Sequence, residues 1–267
     1  MNKRTRPANV LLDLLRSSAG QELPVQALIR YGAVFGFSAN KVRVTLSRLA
    51  GRGLVSSPSR GRYRLGQRSD PVHAFVERWR LGEARVRPWS GQWLLAVVSA
   101  LDDRSRWSLH TLGFRALCAD NLWCRPDNLA LSRDQLRDQA MALGLDQTIC
   151  WWQGVPQAGA RQPHQLWDAR ALEQAYGRGT AALETSLTRL SRLPLDEALR
   201  ESFTLGGEVI HRLAKDPLLP EEMVDVTGRQ RLWERMQEYD QAGREIWSRL
   251  GAAVPQYTPR PQLLPVA

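Results

Sequence analysis

The sequence is poor in the residues from which most catalytic and metal sites are built. Its three cysteines, Cys118, Cys124 and Cys150, match neither a metal-ligand spacing nor a disulfide framework, and its four histidines are scattered. No phosphate-binding glycine loop, nucleophile elbow or zinc-protease motif is present. These absences predict a protein that is not an enzyme, with no catalytic residue, no metal and no cofactor.

Long apolar runs are missing as well. No stretch of about 18 apolar residues occurs, which argues against a transmembrane helix. Asp13 and Arg16 interrupt the short apolar stretch near the N-terminus, which is unlike a signal peptide. Because the cysteines form no disulfide framework, we expect a protein of the reducing cytoplasm. Because no apolar run is long enough to cross a bilayer, we expect no contact with a membrane.

Acidic residues are almost absent from the N-terminal quarter of the chain. Residues 1–68 hold 13 Lys and Arg against two acids, Asp13 and Glu22, which gives this segment a net charge of +11. The other 199 residues hold 24 basic and 25 acidic side chains and are close to neutral. A basic module joined to a neutral body needs a polyanionic partner for the basic module alone.

The pattern of this basic segment predicts a winged helix-turn-helix domain over residues 1–68. Two short helical patterns, residues 8–16 and 25–36, precede a third that begins after Ser38, a residue suited to an N-cap. A strand, a turn and a second strand follow within residues 54–65. Three helices and a basic hairpin in this order are typical of a DNA-binding domain.

The rest of the chain predicts an α+β multidomain protein. Residues 69–88 read as a linker helix, and residues 89–160 follow the β-α-β-β-α-β order of a ferredoxin-like domain. Residues 161–267 read as a helical C-terminal domain that ends in an extended tail.

A recognition helix places polar and basic side chains in the major groove, while a wing contacts the backbone or the minor groove. We expect double-stranded DNA to be bound by Ser38, Asn40, Lys41, Arg43, Thr45, Ser47 and Arg48 of the third helix, and by Arg60, Arg62, Tyr63 and Arg64 of the wing. The terminal residues Lys3, Arg4 and Arg6 form either a flexible basic arm or an unstructured end.

Two other functions remain open. Asp102 and Asp103 follow the first strand of the predicted ferredoxin-like domain, where paired carboxylates can hold a metal in a nuclease, although helix capping accounts for them as well. The helical body can instead dock a partner protein, which makes the chain a non-catalytic regulator without a small-molecule effector.

Local strings along the chain resemble the PaaX family of bacterial repressors. FGFSANKVRVTLSRLAGRGLV and SRGRYRLG are similar to the winged-helix core of that family, and GQWLLAVVSA is similar to its Trp-led first strand. HTLGFRALCADNLWCRPDNL resembles its hairpin segment, and LWDARALEQAY and HRLAKDPLLPEEM resemble two marker strings of its C-terminal domain. The resemblance spans residues 8–250. The wing tip, Ser56 to Ser59, departs from the family pattern.

The resemblance implies a homodimeric repressor of a phenylacetate-type catabolic operon. Such a repressor binds a palindromic operator and is released by an acyl-CoA effector such as phenylacetyl-CoA. His211, Arg212 and Lys215 lie beside the DPLLP string, and we name them as effector-binding candidates. A helix face paired with neighbouring acids is the alternative reading of these three residues.

Overall fold

The computed structural model describes residues 6–18, 21–67, 70–98, 101–118, 121–145, 150–155 and 162–249. The chain divides into two compact units, one formed by residues 1–73, 190–204 and 241–267, the other by residues 74–189 and 205–240. Helices predominate, and two small antiparallel sheets accompany them. The predicted α+β class is confirmed, whereas the division into four sequence segments stays a prediction.

Three helices form the core of the first unit: α1 (Pro7–Ser17), α2 (Val25–Val34) and α3 (Ala39–Gly51). Their apolar faces meet because each helix repeats apolar residues at helical spacing. Leu11, Leu15, Leu28, Val42 and Leu46 are all fully buried in this cluster. This buried apolar cluster therefore anchors α3 and leaves its outer face exposed.

A three-stranded sheet stands beside these helices, with the order β1-β3-β2. Its strands are β1 (Leu23–Pro24), β2 (Val55–Ser56) and β3 (Arg62–Leu65), all paired antiparallel. We call residues 55–65 the wing. Gly61 has φ of +74°, and the amide of Arg62 donates to the carbonyl of Ser59, so the predicted turn at residues 58–61 is present.

Residues from far along the chain complete the first unit. They come from helices α8 (Leu195–Ala214) and α9 (Val226–Ser248). The ring of Trp247 lies edge-on to Tyr31 at 5.4 Å between centroids, and Phe203 lies edge-on to Phe35 at 5.0 Å. The guanidinium of Arg200 donates to the carbonyl oxygen of Val34 at the end of α2.

The second unit contains a four-stranded antiparallel sheet with the order β5-β6-β4-β7. Its strands are β4 (Trp93–Val97), β5 (Arg115–Cys118), β6 (Leu122–Pro126) and β7 (Cys150–Gly154), with α5 (Asp103–Thr111) after β4 and α6 (Arg133–Ala142) after β6. The chain order of these elements is the predicted β-α-β-β-α-β. Leu94, Ala96 and Trp123 fill one face of the sheet and are almost fully buried.

Helix starts match the capping residues that the sequence offers, with one exception. The side chains of Ser38 and Asp102 accept hydrogen bonds from the amides of Lys41 and Ser105. Ser132 begins α6 with a reciprocal capping box to Gln135. Helix α1 is the exception, because it begins at Pro7 after Arg6, which forms no side-chain cap.

The segment predicted as one helix over residues 69–88 is divided. Helix α4 (Asp70–Glu77) is followed by a 3-10 segment, Arg78–Arg85, within which Gly82 has φ of +51°. An L-residue helix does not tolerate that angle, so the α-helix ends before it.

The remaining helical body includes α7 (Ala169–Leu190), a single helix of 22 residues. Helix α8 continues through Gly206 and Gly207, although glycine has a low helix propensity. Among the described residues, no helix has both the length and the apolar character that a membrane span requires.

Candidate nucleic-acid interface

Helix α3 buries one apolar face and presents a largely polar outer face, which also includes the exposed Val44. Val42, Leu46 and Leu49 point into the core and are at most 2% exposed. The outer face carries the polar residues predicted to bind DNA, which are exposed or half-buried: Ser38, Asn40, Lys41, Arg43, Thr45, Ser47 and Arg48. This arrangement is what a helix needs if it is to read a groove while remaining anchored in its own domain.

The start of α3 is fixed by short-range contacts. Ser38 accepts from the Lys41 amide at 3.2 Å, and the hydroxyl of Thr45 donates to the Lys41 carbonyl at 2.7 Å. The ammonium of Lys41 lies 5.7 Å from the centroid of the Phe37 ring. The first turn, which carries Asn40 and Lys41, is thereby held in one conformation.

Arg43 and Arg48 project from the middle and end of α3. Both are exposed, and neither is held by an ion pair in the described part of the chain. An arginine fork that is not engaged elsewhere can bind guanine edges or phosphate oxygens with two parallel hydrogen bonds. These two side chains are therefore the most available cations of the helix.

The four wing residues predicted to bind DNA differ in their exposure and in their hydrogen bonds. Arg60 is exposed at the turn, Tyr63 is half-buried against the core, and Arg64 donates from Nε to the Ser56 hydroxyl at 3.3 Å. Arg62 is engaged with Glu22, its Nε lying 3.2 Å from the carboxylate oxygen Oε2. The wing thus holds three arginines that are not equally available to a ligand.

Glu22 contacts the wing, which its place in the sequence as one of two acids in a basic segment does not reveal. Glu22 and Arg62 are 40 positions apart, and they meet because β1 pairs with β3, with Pro24 opposite Arg62. Strand β1 is not apparent in the sequence and the two residues are far apart in the chain, so no local pattern predicts this contact.

Of the three terminal basic residues, Arg6 alone lies in the described part of the chain. Lys3 and Arg4 lie outside the described residues, and Arg6 is exposed at the N-cap of α1.

The three effector-binding candidates lie at the end of α8. His211 and Arg212 are exposed, and Arg212 donates to the Ala175 carbonyl at 3.1 Å. Lys215 directly follows the helix, and its ammonium lies 5.2 Å from the centroid of the Trp107 indole. A cation and a partly exposed indole side by side suit an anionic, aromatic-containing ligand, but they also suit a simple surface contact.

The paired acids Asp102 and Asp103 lie at the start of α5. Asp102 caps the helix, and the hydrogen bond from Ser105 holds the pKa of its carboxyl below the ordinary value. Within the described ranges, no three His, Cys, Asp or Glu side chains lie close enough together to hold a metal ion.

Comparisons with known proteins find a family model that matches the basic segment. Residues 9–69 match the family model described as PaaX-like protein. A solved structure, the uncharacterized protein Rv0674 from Mycobacterium tuberculosis, has a similar fold: the TM-score is 0.58 at 22% identity, over 91% of this chain and 99% of that one. No curated protein matches the chain. The family match spans the three helices and the wing, and it confirms the PaaX resemblance for this segment.

Proposed function

We propose that this chain, which carries a PaaX-like domain at residues 9–69, is a DNA-binding transcriptional regulator that acts as a repressor. The observation that carries the proposal is the outer face of α3, where a row of polar and basic side chains lies over a fully buried apolar base. The family match supports a regulator rather than an enzyme. In this reading the first unit contains a winged helix-turn-helix.

The proposed contacts divide by chemistry. Arg43, Arg48 and Lys41 read guanine edges or bind phosphate, and Asn40 reads adenine. Ser38, Thr45 and Ser47 bind the backbone, and Arg60, Tyr63 and Arg64 extend the contact along the wing. Because the segment carries a charge of +11, we expect the affinity for DNA to fall steeply as salt is added.

The proposed regulation is release from a palindromic operator by an acyl-CoA such as phenylacetyl-CoA. Two chains bind the two half-sites, and the effector favours a dimer whose domains no longer match the half-site spacing. His211, Arg212 and Lys215 are the proposed cations for the phosphates of the effector. The sheet of the second unit, with the strand order expected of a ferredoxin-like domain, supports a separate sensing body.

Charge reversal on α3 tests the DNA contact. In the variants Arg43→Glu and Arg48→Glu, an acid replaces a cation that has no competing ion pair in the described structure. Each variant is expected to bind the DNA upstream of the chain's own gene at least about tenfold more weakly, since a lost contact of this type is worth roughly 1–3 kcal/mol.

The control is Arg178→Glu, an equal change of charge at an exposed position of α7 in the other unit. Fluorescence anisotropy at fixed ionic strength is the measurement, and circular dichroism checks that each variant is folded. Near wild-type affinity in both α3 variants would remove α3 from the interface.

A further inference from the structure

The side chain and carbonyl of Glu22 gather three hydrogen bonds from the wing. Nε of Arg62 donates to the carboxylate oxygen Oε2 at 3.2 Å, and Nη2 of the same arginine donates to the Glu22 carbonyl oxygen at 3.0 Å. The hydroxyl of Ser59 donates to Oε2 at 3.1 Å. A single acid therefore engages both the wing turn and one of the three wing arginines.

The backbone around this contact is well defined. Leu23 pairs with Tyr63 and Pro24 with Arg62, and the amide of Val25 donates to the Gly61 carbonyl at 2.8 Å. On the inner side of the turn, the Ser57 hydroxyl lies 2.9 Å from the Arg62 carbonyl oxygen. The main-chain pairing of β1 with β3 therefore positions Glu22 beside the wing.

Charge makes this placement significant. Residues 1–68 contain only two acids, and both contact arginines: Asp13 contacts Arg16 on α1, and Glu22 contacts Arg62 on the wing. A carboxylate within a Debye length of about 8–10 Å of DNA phosphates repels them. Glu22 therefore both compensates the charge of Arg62 and disfavours phosphate nearby.

The pair is nevertheless open to exchange. The side chains of Arg62 and Glu22 are 49% and 30% exposed, so the pair lies at the solvent boundary. Exposed ion pairs are weak, and a phosphate is a competing partner for the guanidinium. Glu22 therefore opposes one additional phosphate contact, that of the Arg62 guanidinium.

We propose that Glu22 is a positioning residue that keeps Arg62 away from the DNA backbone, so that Arg60 and Arg64 carry the phosphate contacts of the wing. This inference rests on the proposed function, since it concerns how the same surface binds DNA. It predicts that the affinity of the wing for DNA is held below the maximum that its charge allows.

The test is the salt dependence of binding to a 30-base-pair fluorescein-labelled duplex of mixed sequence, measured by anisotropy with the full chain. Glu22→Gln keeps oxygen and amide groups for Ser59 and Arg62 but removes the charge. The affinity is expected to rise about two- to fivefold, the worth of an exposed ion pair. The slope of log affinity against log salt is expected to steepen by about 0.9, the value for one added phosphate contact.

Two further proteins make the test specific to this pair. Asp13→Asn changes the net charge equally but frees Arg16 on α1, and it is expected to leave the slope unchanged. Glu22→Gln in an Arg62→Gln background is expected to show no steepening, because the arginine that Glu22 releases is gone. A merely structural role of Glu22 would not move the slope at all.

The outcomes separate this inference from the proposed function. If the wild-type chain binds and α3 variants weaken it, but Glu22→Gln leaves the slope unchanged or lowers the affinity, the inference alone is overturned. Equal steepening in Asp13→Asn would also overturn it, since the effect would then be one of bulk charge. If the wild-type chain fails to bind any duplex, both the proposed function and the inference fail.

Discussion

The role of a side chain in this protein depends more on its burial than on its residue type. Arg229, a residue type that is usually exposed, is only 2% exposed. Its Nε and Nη2 donate to the two carboxylate oxygens of Glu83 at 2.9 Å each, and Nη1 donates to the Leu219 carbonyl at 2.8 Å. Burial alone would lower its pKa, but Glu83 and the nearby Asp216 raise it above the ordinary value.

Arg229→Met tests this network. The methionine is of similar volume, but it leaves Glu83 and the buried Asp216 without their cation, and breaking such a pair costs roughly 3–5 kcal/mol. Urea unfolding followed by tryptophan fluorescence measures the loss. Arg231→Met, at an exposed position on the same helix, is the control and is expected to change stability by no more than about 0.5 kcal/mol. Equal unfolding midpoints for the two variants would contradict the role of Arg229.

At this scale the sequence predicts local roles and misses distant ones. The caps formed by Ser38, Asp102 and Ser132 are readable because donor and acceptor lie three residues apart. The contacts Glu22–Arg62 and Glu83–Arg229 join residues far apart in the chain, and no local pattern encodes them.

Elements are set by backbone conformation as well as by apolar periodicity. Gly82 interrupts the 3-10 segment Arg78–Arg85 with a positive φ, and a Cβ added there would lie 2.5 Å from the indole of Trp233. Gly177, in the middle of α7, has open space where a Cβ would lie. Gly82 therefore has no room for a larger side chain, whereas Gly177 does.

We predict opposite effects of alanine at these two positions. Gly82→Ala is expected to lower the free energy of unfolding by about 2–5 kcal/mol, from the unfavourable φ and the overlap with Trp233. Gly177→Ala is expected to raise it by about 0.5–1 kcal/mol, because alanine favours the helix. Thermal unfolding monitored at 222 nm measures both. If Gly82→Ala were as stable as wild type, neither the positive φ nor the close approach of Trp233 would require glycine at this position.

The existence and order of most elements follow from sequence, but β1 and the continuity of the helices do not. Gly206 and Gly207 suggest a break in α8, yet the helix passes through them. A Cβ at Gly206 would lie 3.5 Å from Met236 and Tyr239, an ordinary van der Waals distance, so α8 packs against α9 at this position. Tertiary packing here outweighs the low helix propensity of glycine.

At the scale of the whole molecule, the first compact unit is larger than the segment that carries the charge. Residues 190–204 and 241–267 belong to it together with residues 1–73. Trp247, Phe203 and Arg200 contact α2 from more than 160 positions away in sequence. Charge and motif identify the basic module, but they carry no information on contacts over such separations. The sequence-based domain division, the homodimer and the effector remain predictions.

Fluorescence anisotropy of labelled DNA from upstream of the chain's own gene, titrated with the protein and then with phenylacetyl-CoA, decides whether this chain is an effector-released DNA-binding regulator. We expect tight binding that unlabelled mixed-sequence DNA does not displace, and release by the thioester but not by free phenylacetate. Tight binding without release would retain the DNA-binding regulator and discard this effector. Binding no tighter than to mixed-sequence DNA would contradict a regulator that recognises its own operator.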